Sequence, residues 1–198
     1  MRKLIVGITG ATGAIYGLRL LQALRASNVE SHLIISKWAQ ATIEHETGLA
    51  PRQVRDLAAE SYEPGNLGAA ISSGSFITEG MVIAPCSMRS LGAIAQGVGE
   101  HLIHRAADVV IKERRRLVLV PRETPLSPIH LENMLKLSRI GVTILPPVPA
   151  FYTRPQSIDD IVDHTVARIL DQFGIDSGGA KRWAGEMSAK IARFEPKN

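Results

Sequence analysis

Gly7, Gly10, Gly13 and Gly17 fall within the stretch GITGATGAIYG, directly after a short apolar run near the start of the chain. Glycines this dense let backbone amides approach an anion, and the turn is placed to open a helix whose N-terminus favours negative charge. Hydroxyls recur where later apolar runs end: Ser36 after ESHLII, and Ser87 and Ser90 in APCSMRS. Arg122 closes RRLVLVPR, and Tyr152 follows the proline-rich PPVPAF. Hydroxyls, glycines and an arginine make up a donor set for a phosphorylated ligand.

The spacing narrows the choice of ligand. A P-loop carries a lysine after its last glycine, whereas Ala14 follows Gly13 here. A dinucleotide site reads G-x-G-x-x-G and places an acid at the end of the second strand, where this chain has Ser36. A serine there can bond a monophosphate or a ribityl chain without repelling it. A mononucleotide is therefore favoured over NAD, ATP or GTP. A tight strand–helix turn that holds no ligand is the alternative for this stretch.

The elements that must position these residues alternate. KLIVGI (3–8), ESHLIIS (30–36), MVIAPCS (81–87), RRLVLVPRE and VTILPP read as strands, being short apolar runs suited to a parallel sheet. Between them, Ile15, Leu18, Leu21 and Leu24 recur at helical spacing, and helices are expected over 38–47, 91–96, EHLIHRAADVVIKE and SPIHLENMLKLSRIG. The last clear helix starts after Ser157, with Asp160 three residues on, and carries a stripe from Ile158 through Ile161, Val162, Thr165, Val166, Ile169 and Leu170 to Phe173. Alternation with right-handed crossovers predicts an α/β fold: a doubly wound parallel sheet in a three-layer sandwich of the Rossmann or flavodoxin type. One domain is expected over residues 1–176, with a tail helix over 177–198 packing on its own or a neighbouring subunit. The polar loop 62–75 has a length that commonly covers a site or an interface.

Composition removes other classes. The 198 residues contain one cysteine, Cys86, so no intrachain disulfide can form and a reducing, cytoplasmic setting is expected. No uncharged apolar run approaches the roughly 20 residues of a membrane span. The net charge of +4 is concentrated around KERRR (112–116), but no aromatics are interleaved and Glu113 interrupts it, so nucleic-acid binding is not favoured. His101 and His104 share a helix, yet no third ligand is in view, and no metal is expected.

GITGATGAIYG, APCSMRSL, VPRETPLS and PPVPAFYTRP, in that order, closely resemble the flavin prenyltransferases, the UbiX-like FMN flavoproteins, some formerly called phenolic acid decarboxylases. The resemblance runs from about residue 3 to Trp183. It implies transfer of the dimethylallyl group of dimethylallyl monophosphate to reduced FMN, giving prenylated FMN for a separate UbiD-like decarboxylase. It also implies a homododecamer with sites between subunits.

By position, it assigns FMN contacts to Gly10, Ala11, Thr12, Ser36, Ser87, Met88, Arg89, Ser90 and Arg122. Tyr152, Arg168 and Trp183 fall to the prenyl donor, with Lys112 and Arg105 completing the phosphate site, and Glu123 to proton transfer. Cations and a phenol suit a departing phosphate, whose charge they stabilise. Taken alone, Arg168 and Lys112 read as solvated surface, Glu123 as a partner of Arg122, and Tyr152 as packing or site alike. Rival readings are an FMN-dependent cysteine decarboxylase, a direct aromatic-acid decarboxylase and a non-catalytic FMN carrier. The first would need a histidine base near the first helix, and residues 1–31 hold none.

Overall fold

Along the first strand, β1 (Lys3–Ile8), Leu4, Val6 and Ile8 face one side of the sheet and Ile5 the other, and all four are buried. Burial on both faces is what a parallel sheet requires of its strands. The structure is a computed structural model and describes residues 1–176 and 178. The elements that follow β1 are α1 (Ala14–Ala26), β2 (Glu30–Ile35), α2 (Lys37–Thr47), α3 (Pro51–Arg55) and β3 (Glu60–Tyr62). Then come β4 (Gly80–Cys86), α4 (Met88–Gln96), α5 (Leu102–Lys112), β5 (Arg116–Pro121), α6 (Pro128–Arg139), β6 (Thr143–Ile144) and α7 (Ile158–Asp171).

The six strands run parallel in the order β3-β2-β1-β4-β5-β6. The chain thus winds outward from β1 in one direction and, after β3, from β4 in the other, the doubly wound topology expected. Two cores result. On one face α1 and α7 lay Leu18, Leu21, Leu24, Val162, Val166 and Leu170 over the sheet. On the other, Leu91, Ile103, Val110 and Leu137 of α4, α5 and α6 meet Ile5, Ile83 and Leu119.

The structure adds α3 and β3, which the apolar pattern does not reveal, because an edge strand reading Glu-Ser-Tyr buries no residue fully. The helix expected from 91 begins earlier, at Met88, capped by Ser87. Ile158, expected in the buried stripe of α7, is instead 79% exposed at the first position of that helix, whose buried residues begin at Val162. The tail helix expected over 177–198, including Trp183, lies outside the described residues apart from Gly178.

Candidate functional site: the switch point between β1 and β4

In an open parallel sheet, ligands bind beyond the C-terminal strand ends, where the winding reverses. Here that point lies between β1 and β4. Thr9, one residue past β1, stitches the two ends together: its hydroxyl donates to the Pro85 carbonyl at 2.8 Å and accepts from the Ser87 amide at 2.7 Å. The Ser36 amide donates to the Ile8 carbonyl, drawing the end of β2 into the same rim.

A cavity of about 490 Å³ opens there, lined by Thr9, Gly10, Ser36, Lys37, Trp38, Ser87, Arg89, Ser90, Glu100, His101 and His104. Two helices begin at it. The Ser36 hydroxyl caps α2 by accepting from the Ala39 amide, and Ser87 caps α4 by accepting from the Ser90 amide at 3.2 Å. Ser87 also donates to the Ser90 hydroxyl. Both positive helix ends therefore face the cavity, with hydroxyls between them. Arg89 is held by Glu100 at 3.1 Å. A Cβ added at Gly10 would lie 2.7 Å from Cβ of Trp38, so only glycine lets the start of α2 close on the turn. Burial, followed by the His101 ring beside it, pushes His104 down to about 4.

A second cavity, about 690 Å³, adjoins the glycine turn and includes Thr12, Gly13, Tyr16, Arg19, Glu46 and Arg122 in its lining. The amides of Gly13 and Ala14, which open α1, both donate to one oxygen of Glu46 at 2.9 Å. A carboxylate of the chain thus sits on the helix end that the glycine spacing offered to a phosphate. Glu46 was missed in the sequence because a glutamate late in a polar helix, in HETGL, resembles any solvated residue. Burial raises the Tyr16 hydroxyl above its ordinary value, against the opposing influence of Thr165 and Arg122.

Of the residues assigned from sequence, Gly10, Ser36, Ser87, Arg89 and Ser90 converge on the first cavity, and Thr12 and Arg122 on the second. Ala11 lies within the turn that joins them, and Met88 opens α4. Glu123 is exposed, and one of its oxygens accepts from the Thr124 amide. The others lie apart. Arg105 pairs with Asp108 beside a third cavity, and Lys112 pairs with Glu113 at the end of α5. Arg168 pairs with Asp171 in the last turn of α7, and the Tyr152 hydroxyl lies 3.0 Å from Nε2 of His164.

Direction explains part of this separation. Lys112 stands four residues before β5 begins, and the Phe173 carbonyl just after α7 is bonded by Arg2, just before β1. Lys112 and Arg168 therefore stand towards the N-terminal edge of the sheet, opposite the glycine turn. A further cavity, about 810 Å³, is also at that edge, among Glu79, Arg114, Arg115 and Arg116. It lacks the helix N-termini that gather at the other end. Among the described residues no group of three or more His, Cys, Asp or Glu is placed to hold a metal. No helix there is long and apolar enough to cross a membrane.

A parallel sheet with hydroxyls and helix N-termini at its switch point defines a mononucleotide-binding α/β protein. The chain belongs to the Flavoprotein family, which it matches over residues 1–170. It is 61% identical to a probable UbiX-like flavin prenyltransferase of Streptomyces sp. (strain D7), over 96% of each chain. The crystal structure of a dodecameric FMN-dependent UbiX-like decarboxylase from Escherichia coli O157:H7 superposes with a TM-score of 0.91 at 60% identity, covering 92% of this chain and all of that one. AnUbiX (PadA1), solved with FMN and dimethylallyl pyrophosphate, gives a TM-score of 0.93 at 53% identity, covering 94% of this chain and 99% of that one.

Proposed function

We propose that this protein is a flavin prenyltransferase that joins the dimethylallyl group of dimethylallyl monophosphate to reduced FMN. The observation that carries this is the convergence of Ser36, Ser87 and Ser90 with two helix N-termini at the switch point of a chain so similar to UbiX-like enzymes. When bound, reduced FMN supplies the electron-rich ring nitrogen that receives the prenyl group. The residues present fit it: Gly10 leaves room for the α2 end to reach an anion, the serines offer hydroxyls, and Arg122 adds a cation at the adjoining cavity. Arg89 lines the same cradle from α4, and Met88 precedes it at the start of that helix.

The donor phosphate needs cations that stabilise its growing charge as the allylic bond breaks. Arg168 and Arg105 would give forked contacts and Lys112 a point charge, with the Tyr152 hydroxyl as a further donor. Each now rests on a neighbour within its own subunit. Because Lys112 and Arg168 stand at the far edge of their own sheet, a complete site requires another copy of the chain. This favours an oligomer, and a dodecamer by likeness to the Escherichia coli protein. Glu123, exposed beside Arg122, would serve as the acceptor for the proton that the prenylated flavin gives up. The Trp183 assignment falls on the undescribed tail. A cytoplasmic setting and delivery of the prenylated flavin to a UbiD-like decarboxylase complete the proposal. A single phosphate on the donor suits a set of side-chain cations without a metal-binding Asp-rich motif.

The test is anaerobic incubation with reduced FMN and dimethylallyl monophosphate, followed by the mass of the extracted flavin. A gain of one prenyl unit with release of inorganic phosphate is expected. Unchanged flavin, with a family enzyme active alongside, would overturn the reading in favour of a carrier or a direct decarboxylase. Coexpressing R168A with S90A chains tests the shared site. Mixed oligomers should regain part of the activity that each homogeneous variant lacks, since some sites then draw intact residues from both chains.

A further inference from the structure

The first cavity is lined by two histidines that carry buried ring nitrogens without a partner. Its serines cap helices and bond one another, and its Arg89 and Glu100 are paired. His104, in the first turn of α5, is only 5% exposed, and neither of its ring nitrogens has a hydrogen-bond partner. Nδ1 of His101 is also buried without one. The two imidazoles stack with ring centroids 3.9 Å apart. His104 also borders the third cavity, but the charged groups there, Arg105 and Asp108, satisfy each other. Buried polar atoms without partners are rare in native proteins, and an unmatched one in a cavity wall points to a missing partner.

The chemistry of that partner follows from the ring. A neutral imidazole presents one donor and one acceptor. Burial, the His101 ring and Arg89 all favour the neutral form, with Glu100 opposing. A phosphate offers acceptors alone and would leave one nitrogen bare. A ribityl hydroxyl, or the N–H and carbonyl edge of the flavin ring, can serve both.

We propose that His104 is a positioning residue for the flavin, exchanging hydrogen bonds with its ribityl hydroxyls or ring amide edge, and that stacking on His101 holds the imidazole in place. This rests on the flavin-binding reading above.

The test compares wild type, H104L and H104N by equilibrium binding of FMN, riboflavin and lumiflavin to flavin-stripped protein, and by the heat stability of that stripped protein. In H104L, FMN affinity should fall about tenfold, the cost of an unmade buried hydrogen bond. The stripped H104L protein should be at least as heat-stable as wild type, because its orphaned nitrogens are gone. H104N, which keeps a donor and an acceptor, should recover most of the affinity. A loss seen with FMN and riboflavin but not lumiflavin supports the ribityl contact, and a loss with all three the ring edge. Unchanged FMN affinity in H104L would overturn the assignment alone. So would equal losses of stability and affinity in both variants, the signature of packing. Wild-type protein that binds no flavin would overturn the underlying reading as well. Should H104L fail to fold, the ¹⁵N shifts of the wild-type His104 ring decide: no change on adding FMN would overturn the proposal.

Discussion

Cys86 and His104 show how burial sets the chemistry of single residues. The Cys86 thiol lies fully buried at the end of β4, and burial pushes it up to about 12. Thiolate is the reactive form, so Cys86 in the folded protein should resist iodoacetamide at pH 8 and label only on unfolding, which mass spectrometry would read. His104 shifts the other way, down to about 4. Unfolded, its ring takes up a proton near pH 6.5. Between those values the unfolded chain binds more protons, so stability rises with pH through the window and is lost as pH falls from 6.5 towards 4. The contribution is on the order of 2–3 kcal/mol. Urea midpoints from pH 4.5 to 7 should therefore fall less steeply in H104L than in wild type. Glu46 acts through the backbone. Removing its carboxylate in E46A strips the Gly13 and Ala14 amides of their partner and should cost about 1 kcal/mol, seen as a lowered Tm.

At the scale of elements, the fourth glycine of the opening motif serves packing, with no part in anion binding. A Cβ on Gly17 would lie 2.6 Å from the Ala84 carbonyl oxygen and 2.8 Å from Cδ1 of Ile8. The helix α1 can rest on β1 and β4 only because Gly17 has no side chain. Gly17→Ala should push α1 off the sheet and lower stability by about 1–3 kcal/mol, measured by urea unfolding. That shift would also move the turn at Gly10–Gly13, so weaker FMN binding should accompany it. The helix α6 makes the contrasting case, because its sequence reads as an ordinary amphipathic helix. Ser127 caps it as expected, yet Leu137 is its sole buried residue, and Ile129, Leu131 and Leu135 lie exposed.

At the scale of the molecule, that exposure continues through Leu126, Ile140, Val148, Phe151 and Ile158. Scattered apolar residues on a surface are ordinary, but so many in α6 and in the segment from β6 to α7 fit a surface covered by other subunits. If the chain assembles as proposed, Leu135→Glu should break the oligomer into smaller species by light scattering. It should also abolish prenyl transfer if Lys112 and Arg168 are supplied across subunits.

Apart from α3 and β3, the order of strands and helices, the parallel sheet and the strand-end serines were legible in the chain, because apolar period and strand-end position are local properties. Ser36 and Ser87 could be placed from sequence alone, since each follows directly on an apolar run, and Ser90 lies three residues after Ser87. Glu46 could not, for its role depends on α2 folding back over a turn more than thirty residues earlier. The orphaned nitrogens of His104 were equally hidden, because being without a partner is a property of everything packed around the ring. The positions of Lys112 and Arg168 at the far edge follow from helix direction relative to the sheet. Sequence names the side chains, but the distance between two of them is set by how the layers close.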